Sequence, residues 1–346
     1  MFLASISLQN FRSYLKKDFN FSPETTLIVG PNTAGKSNLI EAIFFLAAGR
    51  SFRSDKDENL VNFAKEIARI KGKTQEKDLE VMIARGGVGG SLRSLKKYLV
   101  NGVGKRKADF VGNFFAVLFA PNDLEIIIGS PSKRRDFLDN ILIQTDRDYR
   151  LAMGFYEKGL RARNALLHKA KETGKRSEKE FEYWDRLLIH QGQRITQKRE
   201  EFIEYLNKAK KEISNFQILY DKSMISADRL AQYLDAEVGT GVTLVGPHRD
   251  DLIINLDDRD IKSFGSRGQQ RLAILQLKIL ELNSIEQKTG NKPTLLLDDI
   301  FSELDEGHIN LVLDMIGGQQ TIMTTTHEEF VPKRLLKQVN MIELGK

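Results

Sequence analysis

Gly30, Gly35, Lys36 and Ser37 stand in the order G-x-x-x-x-G-K-[ST], directly after the apolar run TLIV and directly before NLIEAI. That spacing suits a phosphate. Glycines let successive backbone N–H groups turn inward, the amino end of the following helix adds its positive dipole, a lysine bridges outer phosphates, and a serine hydroxyl is offered to magnesium. A chance match in a glycine turn would not explain the flanking strand and helix. A second apolar run, TLLLDDI, ends in Asp298 and Asp299. A carboxylate at a strand tip beside a phosphate loop holds metal, and the next one along is placed to polarise an attacking water. Read alone, the same pair fits an ordinary turn after a strand equally well; coupled to the phosphate loop it does not. Between these motifs lies FGSRGQQRLAIL, where Ser266, Gly268 and Gln269 precede a helix and form either a second anion-binding helix end or a plain cap. His327 ends a late strand as either a switch or a helix-capping or core histidine. His248, Arg249 and Asp250 are too sparse a donor set to assign a metal.

Such residues work together only if several strands end at one sheet edge. The first 120 residues read mainly as strands, among them LEVMIA, KKYLVN and FFAVLFA, separated by GGVGG and the Asn101-Gly102 turn, with one helix through SNLIEAIFFLAAG. Beyond Pro131 no proline occurs to about Ser214, and Leu187, Leu188, Ile195, Phe202 and Leu206 recur at helical spacing. An earlier helix through Phe155, Leu160 and Leu167 meets this one at Thr173-Gly174-Lys175, which predicts a short helical hairpin with core-packing stripes. After Thr240, VTLVG and DLIINLDD read as strands, QQRLAILQLKILELNSIEQ as a helix, then TLLLDDI and QTIMTTTH as strands around the helix GHINLVLDMIG. The expected fold class is α/β, split in sequence around an inserted α-helical lobe. Its ATPase-type lobe I would comprise 1–120 and 273–346, and its helical lobe II 121–272.

Composition narrows the setting. The chain has 346 residues, 41% hydrophobic and 29% charged, which fits a folded domain and excludes low-complexity classes. With no cysteine, disulfides, thiolate metal sites and cysteine nucleophiles are excluded. No apolar run nears the roughly 18 residues of a membrane span, and the amino terminus alternates like a strand rather than a signal peptide. A cytoplasmic location without a membrane partner is expected. The net charge of +6 is local: residues 147 to 214 hold 17 basic and 11 acidic side chains, the entire surplus. Smaller clusters lie at Arg93, Lys96, Lys97, Lys105, Arg106 and Lys107, and at Lys133, Arg134 and Arg135. These are either a solvated surface or positions facing the phosphates of a polyanion.

The order of phosphate loop, helical insertion, Ser-Arg-Gly-Gln turn, paired acids, SELD and His327 resembles an ABC-type ATPase head. QNFRSY, GKSNLIEAI, GRSFR, FAPNDLEIIIGSPSKRRDFLDN, LVGPHRDDL, SRGQQR and LLLDDIFSELD together resemble the RecF family of DNA repair proteins over essentially the whole chain. That family is similar to SMC-type heads without their long coiled coil. The resemblance implies ATP and Mg2+ as cofactors, an ATP-dependent homodimer on gapped or single-strand/double-strand junction DNA, slow hydrolysis as a timer, and support of recombinase loading with RecR and RecO. It implies that Gly30, Pro31, Asn32, Thr33, Ala34, Gly35, Lys36, Ser37 and Asn38 bind ATP, with Arg12 reaching it from the first strand. Lys36 and Asp299 would be catalytic, Ser37 and Asp298 would hold Mg2+, and Ser266, Gly268 and Gln269 would contact nucleotide on the other subunit. Asp305 would belong to a dimer-facing loop.

Some positions depart from pattern. Thr33 and Ala34 replace the usual loop residues, Asn122 stands where related ATPases carry glutamine or an acid, and Arg267 and Gln270 make the signature turn less glycine-rich. Two other classes share the phosphate loop, a transporter ATPase subunit with a membrane partner and a P-loop kinase. Asn38, GPHRDD and GSPSKRR resemble the repair heads instead, and a kinase has no use for the signature turn or SELD.

Overall fold

A computed structural model describes residues 1–86, 95–175, 177–302, 306–316 and 318–345. The expectations placed on Arg93 and Asp305 fall outside them. The chain forms two units, one of residues 1–123 and 275–346, the other of 124–274.

The first unit holds two sheets. A six-stranded antiparallel sheet runs in the order β2 (Tyr14–Asn20), β1 (Leu3–Phe11), β4 (Ile67–Thr74), β5 (Asp78–Ala84), β6 (Leu95–Val100) and β7 (Val103–Lys105). A register shift between Leu3 and Ser5 lets Leu3 and Ile6 both face the core, which strict alternation would forbid. The Asn101-Gly102 signal makes the β6–β7 hairpin, with φ of 50° and 76° at the two turn residues. The second sheet is wholly parallel, in the order β14 (Asn340–Glu343), β3 (Thr25–Val29), β13 (Thr321–Thr325), β12 (Thr294–Asp298) and β8 (Ala116–Phe119). Every residue of β12 and β13 is buried, so these strands read as continuous apolar or threonine runs. Helix α1 (Lys36–Ala48) is buried on nearly all sides, and Gly49 closes it at a φ of 64°. Parallel order brings the carboxyl ends of β3, β13 and β12 together, so the residues that follow them are neighbours.

The second unit contains α2 (Pro131–Thr145), α3 (Arg147–Thr173) and α4 (Glu178–Lys208), with a sheet in the order β11 (Arg259–Asp260), β10 (Asp251–Leu256) and β9 (Phe216–Asp221). The expected hairpin is α3 and α4, of 27 and 31 residues, with Gly174 ending α3 in the left-handed region. One strand expectation is corrected: VTLVG at 242–246 is a loop. Its amides are taken by side chains instead of a neighbouring strand, Thr243 N–H by Asn164, Leu244 N–H by Glu237 and Gly246 N–H by Ser223. β9 pairs with β10 from Asp251–Asp221 to Leu256–Phe216.

Ions are buried in both units. In the second, the Arg199 side chain is 2% exposed and donates to Asp139 Oδ1 at 2.9 Å, Asp250 Oδ2 at 3.0 Å and the Pro247 carbonyl at 2.7 Å. Tyr220 also donates to Asp250. In the first, Lys278 Nζ lies 3.2 Å from both Asp123 Oδ1 and Glu281 Oε2. Burial, opposed by Lys278 and helped by Asp123, pushes the Glu281 carboxyl up to about 7.

Two outcomes follow for stability. Arg199→Ala leaves two buried carboxylates unpaired and should cost about 3–5 kcal/mol in urea unfolding. Folded Glu281 keeps a proton that the unfolded chain releases above its ordinary value of 4.5, so stability should fall as pH rises from 4.5 to about 7, with this contribution lost above that. Unfolding curves across this window should show the loss in the natural chain and a flatter profile in Glu281→Gln.

Candidate functional site

The loop from Gly30 to Gly35 joins β3 to α1 at the edge where β13 and β12 also end. Gly30 N–H donates to the Thr325 carbonyl at 3.3 Å, which ties the loop to the neighbouring strand. Pro31, Asn32 and Thr33 are exposed, Ala34 is half-buried, and Gly35 and Lys36 are buried. Thr33 adopts a φ of 74° and Gly35 one of 98°. At Gly35 no other residue fits, because a Cβ would stand 2.8 Å from the Tyr14 hydroxyl, which itself donates to the Gly35 carbonyl at 3.1 Å. Burial raises that hydroxyl to about 12, so it stays a donor. Lys36 Nζ curls back to donate to the carbonyls of Gly30 at 2.6 Å and Pro31 at 3.1 Å. Burial lowers its pKa, opposed by Asp299 and Asp298.

Asp298 gathers the next group. Its Oδ1 accepts from Ser37 Oγ at 3.1 Å and from Thr324 Oγ1 at 2.8 Å. Asp299 follows at a φ of 52°, with its N–H donating to Thr324, and its buried Oδ1 has no hydrogen-bond partner among the described residues. Burial pushes its carboxyl up, and Asp298 adds to this while Lys36 opposes it. A hydroxyl, a carboxylate and an unpartnered buried carboxylate oxygen, all hard oxygen donors, fit magnesium and an attacking water. The ring of His327 packs edge-on against Phe330, and its backbone carbonyl accepts from Thr325 Oγ1.

Arg12 directly follows the end of β1 and is half-buried. It sits in the β1–β2 turn at a φ of 51°, where its guanidinium donates to both oxygens of the fully buried Glu41 at 2.9 and 2.7 Å and to the Asn59 carbonyl at 2.7 Å. Asn38 donates to Ser13 Oγ at 2.9 Å and accepts from Arg53 at 2.9 Å. Arg12, Ser13, Asn38, Asn62 and Phe63 line one open cavity of about 820 Å³. Asn122 is exposed, and its neighbour Asp123 takes the buried pairing with Lys278.

The second unit holds the other motifs. α5 (Arg267–Thr289) begins there, and Ser266 and Gln269 cap it reciprocally: Ser266 N–H donates to Gln269 Oε1 at 2.9 Å and Gln269 N–H to Ser266 Oγ at 3.3 Å. Both are exposed, and beyond Ser266 Oγ at 3.9 Å nothing crowds Gly268. GPHRDD is structural. His248, lowered to about 4 by burial, bridges the Tyr156 hydroxyl and the Thr243 carbonyl. The phosphate-facing expectation for 133–135 is corrected in part. Arg134 forks onto Asp251 at 2.6 and 2.9 Å and Arg135 donates to the Asp250 carbonyl at 2.6 Å, which leaves Lys133 exposed. In the other cluster Lys96 is turned to Asp57 at 2.7 Å and lies over the Phe45 ring.

Three residues that position the site escaped the sequence reading. Thr324 lies inside the TTT run, and its role comes from a neighbouring strand. Tyr14 and Glu41 lie inside quoted motifs, QNFRSY and GKSNLIEAI, without any local sign of what they touch.

The family described as the RecF/RecN/SMC N terminal domain matches residues 2–343. The DNA replication and repair protein RecF of Lachnoclostridium phytofermentans is 36% identical over 97% of this chain and 96% of its own length. The chain belongs to the RecF family. RecF of Bacillus cereus (strain G9842) is 33% identical over 99% of this chain and 97% of its own. Among solved structures, the recombination mediator protein RecF-ATPrS in the RecFOR pathway superposes with a TM-score of 0.85 at 33% identity, covering 99% of this chain and 96% of that one. RecF-ATP in the same pathway gives 0.83 at 34% identity, covering 95% and 93%. The split α/β head with an inserted helical lobe is therefore the RecF fold. Among the described residues no helix is long and apolar enough to cross a membrane.

Gly35→Ala should lose at least about 1 kcal/mol of stability in denaturant unfolding, from its left-handed φ alone, before the clash with Tyr14 is counted.

Proposed function

We propose that this RecF-family chain is a cytoplasmic ATPase that closes into a homodimer around ATP on gapped or junction DNA, and that slow hydrolysis times its release. In recombinational repair and replication restart it would support recombinase loading with RecR and RecO partners. The observation that carries this reading is the meeting of the Gly30–Ser37 loop, Asp298 and Asp299 at one sheet edge, with the hydroxyl–carboxylate contact already formed. The ATP-named relatives of the same fold agree with it.

Bound Mg2+ would supply Lewis-acid stabilisation of the phosphate oxygens. Backbone N–H groups of Asn32, Thr33 and Gly35 would surround the phosphates, in a loop whose Pro31–Thr33 part is exposed, while Gly30, tied to Thr325, anchors its base and Pro31 and Ala34 complete its wall. Lys36 would exchange the Gly30 and Pro31 carbonyls for outer phosphate oxygens. Ser37 and Asp298 would hold the metal. Asp299, its carboxyl raised by burial, would take the proton of the attacking water as that water's oxygen bonds to the γ-phosphorus, with ADP as the leaving group. Asn38 and Arg12 would flank the nucleotide from the adjoining cavity. The exposed cap formed by Ser266, Gly268 and Gln269 would face the γ-phosphate held by the second subunit. Asp305 would belong to the loop at that dimer face. Residues 1–120 and 273–346 would act as the nucleotide lobe and 121–272 as the helical lobe.

Sedimentation of the full chain with and without ATP, with gapped duplex as a second variable, tests the clamp. ATP should produce dimers that bind the DNA. Asp299→Asn should keep them and slow hydrolysis by about 10²–10⁴-fold. A monomer under every condition, despite nucleotide binding, would sink the dimer account.

A further inference from the structure

The basic surplus between residues 147 and 214 is shared unevenly by the two hairpin helices. α3 turns Tyr149, Tyr156, Arg163 and Leu167 into the unit. At 3.6 residues per turn, the opposite face carries Arg147, Lys158, Arg161 and Lys169, with Gly154 and Ala165 between them. From Arg147 to Lys169 the centre of that stripe, about 33 Å long, holds no acidic side chain, and the exposed Glu157 stands at one edge of it as Phe155 does at the other. Lys158, Arg161 and Lys169 are exposed, and none of them makes an ion pair among the described residues. The small residues leave nothing standing above the cations.

α4 is built differently. Arg186 pairs with Glu182, Lys198 with Asp146 and Glu201, and Lys208 with Glu204. Its outer face neutralises itself, as a solvated helix surface does. On one face of a rigid helix, the exposed Lys158, Arg161 and Lys169, with no ion pair among the described residues, create a field that a polyanion offsets. A lipid surface is a poor match, because interfacial helices need a broad apolar face and the apolar face of α3 is buried. At the edge of the stripe Phe155 is 51% exposed beside Lys158. An aromatic ring next to cations suits nucleic acid, where rings meet bases and cations meet phosphates.

We infer that the outer face of α3 is the DNA track of this protein, with Lys158, Arg161 and Lys169 on backbone phosphates and Phe155 against an unpaired base. The inference rests on the DNA-binding reading above and narrows it to one helix face. It excludes the outer face of α4, the buried Arg134 and the half-buried Arg135, which is turned to the Asp250 carbonyl, as principal contacts.

The test compares the full natural chain with two triple variants, Lys158→Ala/Arg161→Ala/Lys169→Ala and, as control, Arg186→Ala/Lys198→Ala/Lys208→Ala. Alanine is well tolerated at exposed helix positions, and thermal melts check that each variant is folded. Anisotropy titrations with gapped duplex at several salt concentrations give the slope of log affinity against log salt. Losing three phosphate contacts should reduce that slope by about 2.7 in the α3 variant, and the α4 variant should stay near the natural slope. Phe155→Ala should weaken gapped duplex by about 5- to 100-fold and leave blunt duplex unchanged. If the natural chain binds and the α3 variant keeps its slope, or if both triples lose equally, the assignment to α3 is wrong. Equal behaviour of Phe155→Ala on both DNAs would remove the base contact. If the natural chain binds no DNA with or without ATP, the DNA reading itself fails, an outcome separate from either of these.

Discussion

One carboxylate oxygen, Asp298 Oδ1, accepts hydroxyls from two elements that the chain makes far apart. Ser37 stands 261 residues earlier and Thr324 26 residues later. The three meet because β13 pairs with β3 on one side and β12 on the other, all parallel, so that their carboxyl ends share an edge. Charge-assisted hydrogen bonds of this kind contribute about 1.5–3 kcal/mol each. Their greater effect is geometric, since they fix the serine hydroxyl and the carboxylate at a separation one cation can span. Asp299 inherits its position from the same contact, with its N–H held by Thr324 and its own Oδ1 left without a partner.

What the sequence displayed was chemistry confined to one turn. Gly30 to Ser37 is legible because a phosphate loop needs its glycines, lysine and hydroxyl at fixed intervals. The helical hairpin is legible because Gly174 interrupts two long periodic stripes. Long-range partnership is what stayed hidden. Thr324 looks like any strand threonine until β12 lies beside it. Arg134 looks like a surface cation in a basic cluster, yet its partner Asp251 is 117 residues away and takes it into the fold. VTLVG has the composition of a strand, but Asn164, Glu237 and Ser223 satisfy its amides first.

The second unit buries charge where many helical domains bury only hydrocarbon. Arg199 joins α4 to Asp139 on α2 and to the Pro247–Asp250 segment, and Arg163 joins α3 to Asp185 on α4 and to Thr243. Buried ions of this sort are an uncertain source of net stability, because desolvation offsets their attraction. They do penalise a mispaired arrangement heavily, so they fix the register of the hairpin against the loop behind it. This also explains why GPHRDD and SPSKRR, far apart in sequence, are both dense in charge.

The strand order β3, β13, β12, β8 carries a consequence for synthesis on the ribosome. The two members made early, β3 and β8, are never neighbours, and the gap between them is filled by residues from 294 onward. Until the residues from 294 to 325 emerge, the glycine loop has no neighbouring strand to lean on, and two apolar strands wait without the partners that cover them. The nucleotide site thus cannot assemble on the nascent chain before β12 and β13, which hold Asp298 and Thr324, have been made.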